Sequence, residues 1–285
     1  MKKIQFTKMH GLGNCYGYIN CFETKLEEAE LPRLAEKFAN VSTGIGSDGI
    51  ILLCPSKKAD IKMRIFNKDG SEAKNCGNGL RCVAKYAFDH SLVSSKKMSI
   101  ETLGGIVHAN IFDNTPQLSL VQVNMGHPQL ERSKIPMNGV AAQQVVNESF
   151  NIDKLSLKLT AVSMGNPHAV FFTDTSKHSL HKEIGPKIEK DFRFFEGVNV
   201  EFVHVISPTS LHCSVWERGS GVTQACGTGA CASAVAAILN GHSKKGEDIT
   251  VHLEGGDLKI QWAHNNDVLM TGPAEYIASG TFIYG

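Results

Sequence analysis

The strongest constraint on this chain is that it carries one local pattern twice. Ile65-Phe66-Asn67-Lys68-Asp69-Gly70-Ser71-Glu72-Ala73-Lys74-Asn75-Cys76-Gly77-Asn78-Gly79 aligns without a gap with Val215-Trp216-Glu217-Arg218-Gly219-Ser220-Gly221-Val222-Thr223-Gln224-Ala225-Cys226-Gly227-Thr228-Gly229, 150 positions downstream. Each copy runs from an apolar pair through a polar loop into Cys-Gly-x-Gly and a helix start. Two further pairs keep nearly the same spacing: Asn14 with Asn166, 152 positions apart, and Gly44-Ile45 with Gly197-Val198, 153 apart. Three matches in one order are the mark of a duplicated unit. At 285 residues the chain also sits where a single core tends to split in two.

Each half reads as sheet plus helix. Ile61-Lys62-Met63-Arg64-Ile65 alternates apolar and polar as a half-buried strand does, and Leu118–Val123, Leu258–Trp262 and Thr281–Tyr284 look similar. Helices are expected over Leu31–Phe38, Leu80–Phe88 and Ala230–Leu239, the last stopped by Asn240-Gly241. Ala230–Leu239 is apolar nearly all round, so it belongs inside a wrapping sheet and not on a surface. The expected fold class is α/β (α+β): two pseudo-symmetric halves, each a curved, mostly antiparallel sheet around a central helix, with an active-site cleft between them.

Composition removes several function classes. Twenty-nine basic residues against 28 acidic ones give a net charge of +1, which leaves no basic field for nucleic acid. The longest small-apolar run, Ala232–Leu239, is far short of the ~20 residues a membrane span needs. Ile4–His10 has no apolar signal core and reads as an opening strand, not an export signal.

Eight cysteines in a chain this long do not read as a secreted disulfide framework. Zinc-type Cys pairs and His-Glu-x-x-His are missing, and Cys226-x₄-Cys231 lacks a second pair, so no metal is assigned. Gly44-x-Gly46-x-x-Gly49 matches a dinucleotide fingerprint only as text, because a helix precedes it and a strand follows. Gly227-x-Gly229-x-x-Ala232 does open a helix, but its copy Gly77-x-Gly79-x-x-Cys82 breaks the pattern, so no nucleotide is expected.

What the two copies share is a cysteine before a glycine-rich helix start. The first N–H groups of a helix present the positive end of its dipole, and glycine lets an anion approach them closely. The same field is expected to acidify a thiol placed there, from about 8.5 toward neutrality. Two facing halves would put one thiol on each side of a single carbon, the arrangement stereoinversion requires. One thiolate removes an α-proton while the opposing thiol delivers another. Helix dipoles stabilise the carboxylate as it gains enolate character. This chemistry needs no Schiff-base lysine, no pyridoxal phosphate and no other cofactor. Thiol–disulfide exchange is the competing use of two cysteines, but its usual Cys-x-x-Cys motif is absent.

Asn67-x-Asp69-Gly70-Ser71-Glu72-Ala73-x-x-Cys76-Gly77-Asn78-Gly79-x-Arg81-Cys82 and Glu217-Arg218-Gly219-Ser220-Gly221-x-Thr223-x-Ala225-Cys226-Gly227-Thr228-Gly229 resemble the two signatures of the diaminopimelate epimerase family. Lys8-Met9-His10-Gly11-Leu12-Gly13-Asn14, Met164-Gly165-Asn166-Pro167-His168, Glu196-Gly197-Val198-Asn199 and Thr271-Gly272-Pro273-Ala274 extend the resemblance over essentially the whole chain. It implies a cofactor-independent, cytoplasmic isomerase that interconverts LL- and meso-2,6-diaminopimelate for lysine and peptidoglycan synthesis. It makes Cys76 and Cys226 the two bases, with Gly77, Asn78, Gly227 and Thr228 holding the reacting carboxylate. Asn67, Asn166, Asn199 and Arg218 hold the distal carboxylate, the last bidentately. Asn14 and Glu217 contact amino groups, and His168 lies close enough to tune a thiol. The implied organisation is residues 1–121 and 122–271, with a tail, 272–285, returning to the first half. A small-molecule substrate is the expected partner, and a homodimer is compatible with the sequence.

Two positions depart from the family pattern. Cys15 stands where many members have Asp, and Gly49 where some have Gln. Cys15 is read as buried packing. A proline racemase-like enzyme is the nearest alternative, but it typically has Cys-Gly-His-Gly where this chain has Cys76-Gly77-Asn78-Gly79. Its substrate would give Asn67, Asn199 and Arg218 no second carboxylate. A non-catalytic amino-acid-binding module would need the cradles but not both thiols.

Overall fold

The computed structural model describes residues 1–73, 76–174 and 179–285, so Lys74 and Asn75 of the first repeat copy lie outside the described residues. The chain divides into two compact units: Met1–Asn124 with Thr271–Gly285, and Met125–Met270.

The first unit holds β1 (Lys2–Gly11), β2 (Asn14–Asn20), β3 (Gly49–Cys54), β4 (Ile61–Asn67), the short β5 (Glu72–Ala73), β6 (Lys97–Thr102), β7 (Gly105–Asn114) and β8 (Leu118–Asn124). Most of the final strand, β17 (Val268–Tyr284), belongs to it as well. β1 pairs antiparallel with β2, β2 parallel with β3, β3 antiparallel with β4, β4 parallel with β6, and β6 antiparallel with β7. β17 pairs with both β1 and β8, so the ladder returns to its first strand.

Helix α2 (Gly77–Asp89) packs against β1, β2, β3, β4, β7 and β8, and is buried from Gly77 to Ala87. That burial takes in Arg81 and Lys85, both with no solvent exposure. Each finds hydrogen-bond acceptors inside the unit, as buried charge demands. Arg81 Nε donates to Pro273 O at 3.0 Å, and Lys85 Nζ donates to Thr115 O at 2.8 Å and pairs with Asp89 at 2.9 Å. Helix α1 (Leu31–Ala39) buries Leu31, Leu34, Ala35 and Phe38 against β3 and β4. There Phe38 sits edge-on between Phe6 and Phe282, with ring centroids 5.1 and 5.2 Å away.

The second unit holds β9 (Glu148–Ile152), β10 (Leu155–Ser163), β11 (Pro167–Phe172), β12 (Asn199–Ser207), β13 (Ser210–Glu217), the short β14 (Gly221–Val222), β15 (Asp248–Leu253) and β16 (Gly256–Trp262). β10 pairs antiparallel with β11, β11 parallel with β12, β12 antiparallel with β13, β13 parallel with β15, and β15 antiparallel with β16. The succession from β1 to β7 has the same orientations. Even the register repeats: Ile61 opposes Ile100, and Leu211 opposes Val251, 150 and 151 positions later.

Helix α5 (Gly227–Leu239) packs against β10, β11, β12, β13, β15 and β16, with every residue from Gly229 to Ala237 buried. Its nearly all-apolar surface has sheet around it, as the sequence pattern requires. Where the first unit places α1, between its second and third strands, this unit has two short helices, α3 (Leu180–Glu183) and α4 (Gly185–Glu189). Neither is long enough to show a periodic stripe, so the sequence reading has no helix there.

Candidate active site

Each unit sets its cysteine at the N-cap of its buried helix. Cys76 and Cys226 have extended backbones (φ −152° and −109°), and each sulfur accepts a hydrogen bond from the N–H three residues on. The two bonds, from Gly79 N and Gly229 N, are both 3.3 Å. Sulfur thus takes the place that a serine or aspartate oxygen usually fills. Gly77 and Asn78, and likewise Gly227 and Thr228, occupy the first two helical positions, where the dipole is most positive. Close packing explains the second glycine of each motif. A Cβ on Gly79 would lie 2.7 Å from Ile51 Cδ1, and one on Gly229 would lie 2.8 Å from Glu201 Oε1.

In the first unit, Cys76 Sγ donates to Asn14 Oδ1 at 3.6 Å. Asn14 is oriented in turn by Asp48, whose carboxylate accepts from Asn14 Nδ2 at 2.9 Å and from Cys15 N at 2.8 Å. Asn67, at the end of β4, donates to Ser71 Oγ at 3.1 Å and accepts from Tyr16 OH at 3.4 Å. Cys15 is half-buried, not fully buried as the sequence reading has it, and desolvation beside Asp48 pushes its thiol up.

In the second unit a chain of polar groups leads from the interior to the thiol. Glu201 Oε1 lies 2.7 Å from His168 Nδ1, and His168 Nε2 lies 3.0 Å from Asn166 Oδ1. Asn166 Nδ2 donates to Thr228 Oγ1 at 3.2 Å, and Thr228 Oγ1 lies 3.5 Å from Cys226 Sγ. An amide oxygen only accepts, so His168 Nε2 carries a proton, and one more proton is shared between Nδ1 and Glu201. Thr228 receives a hydrogen bond from Asn166, which leaves its own proton to point at sulfur. His168 therefore reaches Cys226 through Asn166 and Thr228.

Glu217 accepts a hydrogen bond from Thr223 Oγ1 and lies near enough to the Cys226 thiol to feel it. Burial pushes its carboxyl up, against the pull of Thr223, Cys226 and His168. The Cys226 thiol is pushed well above its ordinary value, first by burial and then by the charges of Glu217 and Glu201. This overturns, for Cys226, the expectation of an acidified thiol. The helix dipole is worth a fraction of what desolvation and two nearby carboxylates impose.

Asn199 and Arg218 are joined to each other. Asn199 Oδ1 accepts from Arg218 N at 2.9 Å, and its Nδ2 donates to Pro167 O at 3.0 Å. Arg218 Nη1 donates to Glu196 O at 2.9 Å. Gly197, at φ +71°, turns the chain between Glu196 and Asn199, and a Cβ there would come within 3.1 Å of Arg218 Cδ.

Sequence reasoning misses Asp48, Thr223 and Glu201. Glu201 had a signal: it is the one carboxylate in the run Val198–Val203, whose other members are all buried in this structure. Among the described residues, no three His, Cys, Asp or Glu side chains are grouped to hold a metal ion, and no helix is long and apolar enough to cross a membrane.

A family model described as diaminopimelate epimerase matches residues 6–131 and 160–277. The chain is 56% identical over 284 residues to the diaminopimelate epimerase of Geobacillus thermodenitrificans, covering 100% of this chain and 98% of that protein. It is 54% identical over 282 residues to the diaminopimelate epimerase of Bacillus subtilis, covering 99% of each. A Bacillus anthracis phenazine biosynthesis protein of the PhzF family shares the fold, with a TM-score of 0.71 at 16% identity over the whole of both chains. So does a probable proline racemase from Agrobacterium radiobacter, with a TM-score of 0.67 at 15% identity over 97% of this chain and 92% of that one. The chain belongs to the diaminopimelate epimerase family.

Proposed function

We propose that the protein interconverts LL- and meso-2,6-diaminopimelate without a cofactor, Cys76 and Cys226 serving as its acid and base. The observation that carries this reading is the repeated N-cap: two thiols, each on the first turn of a buried helix and each bonded to the N–H of its second glycine. The N–H groups of Gly77, Asn78, Gly227 and Thr228 take the reacting carboxylate, where positive helix ends favour negative charge. Asn67, Asn166, Asn199 and Arg218 take the distal carboxylate, and Asn14 and Glu217 take amino groups. Proline has no second carboxylate for Arg218, so the longer diacid is the better substrate.

Inversion requires one thiol on each face of the α-carbon. Burial and the Glu217 and Glu201 charges keep the proton on Cys226, so it is the donor in the half-reaction that begins from this state. Cys76, which first gives up to solvent the proton it shares with Asn14, receives the α-proton as the thiolate. When Cys226 has given up its proton, the Thr228 hydroxyl and the Gly229 N–H hold the sulfur anion, and roles reverse for the opposite direction. The protein acts in the cytoplasm, in lysine and peptidoglycan synthesis.

Incubating the reduced protein with LL-diaminopimelate in deuterated water tests this reading. Deuterium is expected at the inverted α-carbon, with L-proline unchanged in a parallel reaction. Active, reduced protein that forms meso product without taking up deuterium would overturn it.

A further inference from the structure

Two other thiols meet where β2 and β3 end. The strands run parallel, with Asn20 opposite Leu53. Cys21 N donates to Leu53 O at 2.9 Å, which carries the ladder one residue past β2 and sets Cys21 beside Cys54. Neighbouring strands are roughly 4.8 Å apart, inside the ~4.4–6.8 Å Cα separation that a disulfide spans. Both cysteines are half-buried at the edge of the Phe6–Phe38 core, where Cys21 Sγ donates to Ile19 O at 3.9 Å, and the two thiols are near enough to perturb each other.

The two thiols are not equivalent. Cys54 opposes Lys62 across the β3–β4 ladder, with Arg64 opposite Leu52, on the same face of the sheet. Arg64 is fixed there by Glu28 and Glu72, with N–O distances of 2.6 and 2.7 Å. The neighbouring Cys21 thiol and the charges of Arg64 and Lys62 pull the Cys54 thiol down, while the neighbouring Cys54 and burial push Cys21 up.

We propose that Cys21 and Cys54 form a reversible dithiol–disulfide site that reacts with low-molecular-weight disulfides, separately from Cys76 and Cys226. The Cys54 thiolate attacks one sulfur of the small disulfide, whose S–S bond breaks to release a thiolate that takes a proton from water. Cys21 then loses its proton to solvent and attacks the Cys54 sulfur of the mixed disulfide, releasing the second small thiolate. Cys21 and Cys54 are together oxidised by two electrons, and one small disulfide is reduced to two thiols. The pair lies at the opposite end of β2 from Asn14, roughly 20 Å along the strand, so the new bond does not draw on the groups around Cys76.

The test treats the full chain with increasing glutathione disulfide, quenches with acid, alkylates the remaining thiols and maps peptides without reduction. The expected product is the Cys21 peptide linked to the Cys54 peptide, lighter by two hydrogen atoms and released by dithiothreitol. Cys21→Ser is expected to trap glutathione on Cys54, while Cys54→Ser leaves Cys21 unmodified. The proposal is overturned if Cys21 and Cys54 are both alkylated at disulfide concentrations that already modify Cys15 or Cys76. It is equally overturned if Cys21→Ser carries no adduct on Cys54.

Discussion

His168 Nδ1 lies 2.7 Å from Glu201 Oε1, and neither side chain reaches solvent. Because His168 Nε2 is committed to Asn166, a proton must also lie between Nδ1 and Glu201 Oε1. The two bonds lock the imidazole, and through it Asn166 and the hydroxyl direction of Thr228.

Glu201→Gln keeps the shape and removes the charge. Loss of a charged hydrogen bond of about 1.5–3 kcal/mol is expected to lower kcat by roughly 10- to 150-fold. Since the Glu201 charge helps raise the Cys226 thiol, its removal moves that thiol down. The pH profile of Cys226 alkylation should therefore shift to lower pH, and a merely structural role for Glu201 would not produce this shift.

The two motif glycines should differ in tolerance. A Cβ on Gly79 meets the ends of two flexible side chains, Ile51 Cδ1 at 2.7 Å and Met63 Cε at 2.8 Å. One on Gly229 meets the Glu201 carboxylate at 2.8 Å and Cys226 Sγ at 3.2 Å, both held in place by bonds. Gly229→Ala is expected to cost about 1–3 kcal/mol of stability and most of the turnover, and Gly79→Ala less of both. Denaturant midpoints and kcat for the two variants check this.

Alkaline pH should destabilise the fold through its buried thiols. Burial pushes Cys82 up to about 11 and Cys213 up to about 12. Unfolded, each titrates near about 8.5. Below that pH both states are protonated and the contribution is fully present. Above it the unfolded chain ionises first, so stability is lost as pH rises through the folded values, at about 1.4 kcal/mol per pH unit for each thiol. Urea midpoints should fall between pH 8 and pH ~10.5, and less steeply in Cys213→Ala.

The fold was legible where sequence and topology repeat together. The Cys76 and Cys226 blocks, 150 positions apart, mark two helices that start in the same way, and the apolar girth of α5 announces its burial. Helix α2 was harder to read, because Arg81 and Lys85 look like a solvated face until the carbonyls of Pro273 and Thr115 arrive from distant segments to join Asp89 of the same helix. The site was legible at its cysteines and asparagines, which recur in the motifs. It was illegible at Glu201 and Asp48, whose partners His168 and Asn14 lie 33 and 34 residues away in sequence. The state of Cys226 is hidden from the sequence for the same reason. A helix start can be read from a motif, but desolvation and the charges of Glu217 and Glu201 exist only once the chain has folded.

The most direct test of the central claim is the rate of diaminopimelate epimerisation by Cys76→Ala and by Cys226→Ala, with substrate binding measured on the same samples. Each substitution removes one acid/base group, worth roughly 10²–10⁴-fold in rate. Each variant should therefore lose turnover by at least that factor while binding substrate nearly as well as the parent. Wild-type turnover by either variant would contradict a mechanism that needs both thiols.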